Sequence, residues 1–256
     1  FKYKYEITIS IIIAFLGTAL LYAAVGFGGG STYNAILILT DINYIMIPII
    51  ALTCNLIVVS GNSLRYFQNN LIPWKFTLPV VGSSIPFAFA GGLVMIDEVL
   101  FIKILAWALL FSGLMMLYRK KYLSISLLKF NTTVVLIFSC VLAACLGFIA
   151  GLVGIGGGIF FAPLLHLTQL LPVKNIAAFS SFFILVNSSA GLIGQFIKYD
   201  GMNIDLLESK YFWLLLAVFV GGQIGSHLSV HRIEPIVVRR LTAVLVIYVG
   251  CRLLFI

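Results

Sequence analysis

Residues 26–41 read GFGGGSTYNAILILTD, and residues 154–169 read GIGGGIFFAPLLHLTQ. At an offset of 128, Gly26, Gly28, Gly29 and Gly30 fall on Gly154, Gly156, Gly157 and Gly158, and Leu39 and Thr40 fall on Leu167 and Thr168. A second pair, GSSIP at 82–86 and GGQIG at 221–225, repeats at a slightly larger offset. One G-x-G-G-G string carries little information. The same string at the same place in each half marks an internal repeat, with units near 1–122 and 123–256 that together form one membrane domain. Internal symmetry with interrupted hydrophobic segments is characteristic of secondary transporters.

Composition identifies the solvent. Of 256 residues, 62% are hydrophobic and 9% charged, and mean hydropathy is +1.15. That exceeds what a soluble domain can bury, so the chain is expected in lipid. The first apolar run, Ile7 to Val25, flows into glycines rather than a small-residue cleavage site, and reads as a retained helix. The net charge of +8 fits either a positive-inside bias or a preference for anionic solutes. The basic residues lie in short loops between spans, which argues against nucleic acid. Cys54, Cys140, Cys145 and Cys251 all lie in apolar runs without a CxxC pair, and His166, His227 and His231 lack metal-ligand spacing. No metal and no cofactor are expected.

About 20 apolar residues cross a bilayer as a helix. Eight runs qualify, near 7–25, 45–64, 76–96, 99–118, 132–153, 175–197, 211–230 and 236–256. Two shorter apolar pieces, 29–40 and 157–171, each begin at a glycine cluster. The expected fold is an all-α polytopic membrane protein. Two topologies stay open: two inverted sets of five helices, or eight spans with two re-entrant segments. Counting Lys and Arg by loop does not separate them. The inverted form is preferred because it brings both short-helix N-termini toward the midplane from opposite sides, and alternating access then follows from rocking one half on the other.

A helix that begins inside the membrane leaves its first N–H groups without partners, and irregular backbone there survives only beside protein or a wet cavity. Glycine permits positive φ and close approach of a ligand to the backbone. The free N–H groups and the helix dipole then favour an anion. Close helix packing through small residues is the competing explanation. The candidate substrate residues at the clusters are Gly28, Gly29, Gly30, Ser31, Asn34, Gly156, Gly157 and Gly158. Polar residues within the spans add Asn55, Ser60, Asn62, Ser180, Asn187, Ser188 and Gln223. Asn55 and Asn62, and Ser180 and Asn187, are seven apart and share helix faces; Ser60 matches Ser188 at the offset of 128. Each serine taken alone is more readily explained by packing or by back-bonding to its own helix. His166 is a candidate for proton coupling or a hydrogen-bonded structural residue.

The paired glycine segments, GLVGIGGGIFFAPLL (151–165), and the ending GGQIGSHLSVHRIEPIVVRRLTAVLVIYVGCRLL (221–254) resemble the sulfite exporter TauE/SafE family of membrane transporters, over nearly the whole chain. In the first half no proline matches Pro163, and Pro86 stands where the second half has Gly225. The resemblance implies a multi-pass protein of the bacterial cytoplasmic (inner) membrane. It further implies transport of small sulfur oxyanions or organosulfonates such as sulfite or sulfoacetate.

The leading expectation is therefore a secondary transporter of small anions whose partners are an anionic solute and the bilayer, with room for a homo-oligomer. The alternatives are an anion channel or a non-transporting membrane subunit. An enzyme is not expected, since there is no G-x-S-x-G elbow, no H-E-x-x-H and no paired carboxylates.

Overall fold

The computed structural model describes residues 9–40, 42–117, 132–168, 170–199, 209–228 and 235–254. Ten helices are found among them. The long ones are α1 (Ile9–Ala24), α3 (Met46–Gln68), α4 (Trp74–Leu93), α5 (Glu98–Leu117), α6 (Thr132–Val153), α8 (Val173–Lys198), α9 (Ser209–Leu228) and α10 (Pro235–Leu254). The short ones are α2 (Gly30–Ile38) and α7 (Gly158–Thr168). Each segment read from hydrophobicity is a helix, with its ends moved by a few residues. The chief extension is α3, which runs on through Arg65 to Gln68 before the chain turns at Asn70, where φ is 55°.

α3, α4, α5, α6 and α8 are long and apolar enough to cross a membrane, and α1 and α9 are shorter apolar helices. Their outer faces carry bare large side chains such as Trp107, Phe138, Val141 and Trp213. Such faces are stable against lipid tails and not against water. The protein is a multi-pass membrane protein.

Lipid offers little hydrophobic drive for helices to associate, so close backbone packing through small residues does much of that work. Glycines mark the seams. α1 lies along α9: a Cβ on Gly221 or Gly225 would strike the carbonyls of Leu16 or Leu20. α6 lies along α4 in the same manner, with Gly147 against Ser84 and Gly151 against Ala88. In both seams residue numbers rise together, so the paired helices are parallel. α3 and α8 cross antiparallel: Ser63 Oγ lies 3.3 Å from Ser181 Oγ, while Gly191 approaches Leu52 further along. α5 and α10 are also antiparallel, with Gly113 against Ala243 and Gly250 against Ala106.

These seams form a pattern. Replace each of the first five helices by the one five places later, and α1 on α9 becomes α6 on α4, α3 on α9 becomes α8 on α4, α2 on α3 becomes α7 on α8, and α2 on α10 becomes α7 on α5. The pairs α3 with α8 and α5 with α10 map onto themselves. Since both self-mapped pairs are antiparallel, corresponding helices point in opposite directions.

The short helices complete long traverses. Gly26 lies against Tyr66, near the far end of α3, Gly28 and Gly30 lie at Asn55, and α2 then leads back toward the start of α3. The glycine loop and the nine-residue α2 thus run from beside Tyr66 back toward the start of α3.

The seam glycines give a signed test. Gly151→Ala and Gly225→Ala should each cost about 1–3 kcal/mol by forcing apart packed backbones. Gly17→Ala and Gly82→Ala, whose Cβ would meet open space, should instead stabilise their helices by up to ~1 kcal/mol. Thermal melts in detergent should move in opposite directions for the two pairs.

Candidate functional site

The two glycine loops meet. A Cβ on Gly30 would lie 3.0 Å from the carbonyl oxygens of both Gly154 and Ile155. In the first loop the chain reaches α2 through Gly26 at φ 85° and Gly29 at φ 91°, conformations that side-chain-bearing residues seldom hold. Gly154, Gly156 and Gly157 lead into α7 at φ 81°, 80° and 75°. The sequence needs its glycines here because the backbone turns the wrong way for any L side chain.

At each helix start the hydrogen bonding is incomplete in a predictable way. Gly29 is the N-cap of α2 and brings no side-chain cap. Its carbonyl accepts the N–H groups of Thr32 and Tyr33 at 2.9 and 3.0 Å; the N–H groups of Gly30 and Ser31 have no partner within the helix. In α7 the Gly157 carbonyl accepts from Phe160 and Phe161, and the N–H of Gly158 already donates to the Gly156 carbonyl at 3.0 Å. The α2 axis leads away from the meeting point toward one face, and α7 leads toward the other. Two positive helix ends therefore converge near the middle of α3 and α8.

Asn55 sits at that point. Its carboxamide lies against Gly28, and 2.5 Å separates its Nδ2 from a Cβ built on Gly30. A Cβ on Gly156 would be 2.9 Å from the same Nδ2 and 3.0 Å from Ser188 Oγ. Asn55 and Ser188 are fully buried. Neither carboxamide atom of Asn55 has a hydrogen-bond partner, and neither does the hydroxyl of Ser188, Ser31 or Ser180. Buried polar groups are nearly always partnered. Asn55 and Ser188, both beside Gly156, therefore bring unpartnered polar groups to the point where the two short helices begin. Among the described residues the cage carries no charged side chain and no His, Cys, Asp or Glu cluster able to hold a metal.

Other candidates fall elsewhere. Asn34 uses its amide nitrogen on the carbonyl of Val153, at 2.7 Å. Asn62 donates to Ala23 at 3.1 Å, and Asn187 donates to Phe183 of its own helix at 2.9 Å. Each spends on backbone a donor that the sequence offered to the substrate. Ser60 is not part of the cage: it is exposed and bonds back to Ile57 at 3.0 Å. Its match to Ser188 in the repeat does not place it on the matching helix face. Gln223 packs against Gly61 where α9 meets α3, about 9 Å along α3 from Asn55 at 1.5 Å per residue. The side chain of His166 lies outside the described residues. Gln195, not among the candidates, is fully buried and donates to Gly151 at 3.0 Å; a carboxamide in an apolar span was its signal.

The chain matches the family described as sulfite exporter TauE/SafE over residues 10–253. It belongs to the TauE/SafE family. A relative from Sinorhizobium fredii, named "Probable membrane transporter protein y4hK", is 30% identical over 250 residues, 96% of this chain and 98% of its own. "Probable membrane transporter protein YunE" of Bacillus subtilis is 27% identical over 114 residues, 44% of this chain and 40% of its own. No solved structure matches. This TauE/SafE member is a membrane transporter, and the neutral cage where its interrupted helices meet is the candidate site.

An unsatisfied buried carboxamide costs about 1–3 kcal/mol. Asn55→Leu, of similar size, should therefore hold or raise the thermal midpoint while abolishing anion uptake. A lowered midpoint with uptake intact would make Asn55 a packing residue.

Proposed function

We propose that this transporter is a secondary carrier of small anions, specifically sulfur oxyanions or organosulfonates such as sulfite or sulfoacetate, in the bacterial cytoplasmic membrane. The observation that carries the reading is the convergence of the α2 and α7 N-termini on the unpartnered Asn55 and Ser188. Helix starts supply N–H donors and a positive dipole end. The amide and hydroxyl supply further donors. An oxyanion has several oxygens to receive them, and a cage without full charges holds it firmly enough to load and weakly enough to release.

Two inverted repeats, 1–122 and 123–256, with ten crossings, fit the opposed directions of α3 and α8 and the traverse made by each glycine loop with its short helix. Alternating access fits the same symmetry. The bodies that rock are then not the sequence halves. α1 and α9 are joined along a glycine seam, as are α4 and α6. One body comprises α1, α3 and α9, the other α4, α6 and α8, with the substrate at the α3–α8 crossing.

The test is counterflow in proteoliposomes: labelled sulfite outside, unlabelled anions inside. A carrier should concentrate label when sulfite or an organosulfonate is inside, and fail to do so with chloride or acetate. Equilibration without any overshoot would point to a channel. Absence of flux with every anion, in vesicles holding folded protein, would overturn the substrate class.

A further inference from the structure

The interrupted helices create a second electrostatic problem beside the first. Each short helix presents its positive end to the cage, but α1 and α6 end only a few residues earlier, and a helix C-terminus carries about half a negative charge. An anion at the cage would feel both ends. The carbonyls of α6 show how this is met. Ala150 accepts from Gly154 at 2.9 Å. The next three carbonyls have no following helical turn to bond. Gln195 Nε2 donates to Gly151 at 3.0 Å and lies 3.4 Å from the Leu152 carbonyl, and Asn34 Nδ2 donates to Val153 at 2.7 Å.

The end of α1 is treated alike. The Ala23 carbonyl accepts from the Gly26 N–H at 3.1 Å, and Asn62 Nδ2 supplies a second donor to it at 3.1 Å. Ala23 and Gly151 are separated by the same 128 residues as the glycine loops, and their amide partners come from the corresponding helices α3 and α8. One is Asn and the other Gln, and they do not align at that offset. The correspondence lies in the geometry: in each case a side-chain amide of a long helix reaches across to a carbonyl at the end of a broken one.

We propose that Asn62 and Gln195 are positioning residues that set the charge preference of the site, by covering the negative helix ends that would otherwise repel an anion. The inference rests on the anion-site reading above and goes beyond it, because neither residue need touch the substrate. Uncovering a carbonyl end adds a repulsion proportional to the charge of the ligand. A packing defect has no such dependence.

The experiment is binding of sulfate, a dianion, and methanesulfonate, a monoanion, to the purified full-length protein. The wild type is compared with Gln195→Met and Asn62→Leu, which keep volume and remove the donor. If either variant weakens methanesulfonate about threefold, it should weaken sulfate about tenfold, the square of the monoanion loss. Equal losses for both anions, or no loss, would overturn the inference while leaving the site intact. Should Gln195→Met fail to fold, Asn62→Leu carries the same test at the other helix end. A wild type that binds neither anion would overturn the site reading itself, and this inference with it.

Discussion

Backbone amides and carbonyls cannot be left bare in hydrocarbon. Everything particular to this molecule follows from breaking two helices in spite of that. An unbroken α1 or α6 would satisfy its own backbone and have nothing to offer a solute. Breaking each one exposes acceptors on one side of a glycine loop and donors on the other. The acceptors are met by Asn34, Asn62 and Gln195, whereas the donors at the cage are left beside side chains that are themselves unpartnered. On the proposed anion-site reading, that difference between covered acceptors and side-chain donors without partners would set the sign the site prefers.

The remaining packing supports the breaks. Glycine loops with positive φ must be buried from lipid on all sides, and aromatic packing does this around α7, where Phe161 lies between Phe179 and Phe183 at centroid distances of 5.1 and 5.4 Å. On the other side Phe15 stacks on Tyr33 at 4.8 Å, beneath the first loop. The long helices α3 and α8 provide the floor for both loops.

The ten segments and the two breaks were legible in the sequence because each is a local property: hydrophobic length and glycine clustering. Asn55 and Ser188 were legible as polar residues that lipid would not tolerate without a reason. Which donors were already spent was not. Whether Asn34 faces a solute or the Val153 carbonyl depends on where a helix 119 residues away ends, and no spacing within one segment encodes that. Ser60 shows the limit of the repeat. A conserved offset fixes position along a helix, but a residue's face depends on the neighbour, and there the hydroxyl found its own helix. The antiparallel crossing of α3 and α8 rests on pairings such as Ser63 with Ser181, which are long-range by nature.

The seams that join α1 to α9 and α6 to α4 also bear on how the chain is made. α1 leaves the ribosome long before α9, so the α1 face around Leu16, Ala19, Leu20 and Ala23, which Gly221 and Gly225 of α9 pack against, waits for that neighbour through much of synthesis. α4, by contrast, meets α6 soon after leaving the tunnel. The α4–α6 seam can therefore close while the chain is still being threaded, whereas the α1–α9 seam waits for α9. The α4–α6 seam would then close before the α1–α9 seam, with α1 held by lipid or an insertion factor until α9 arrives.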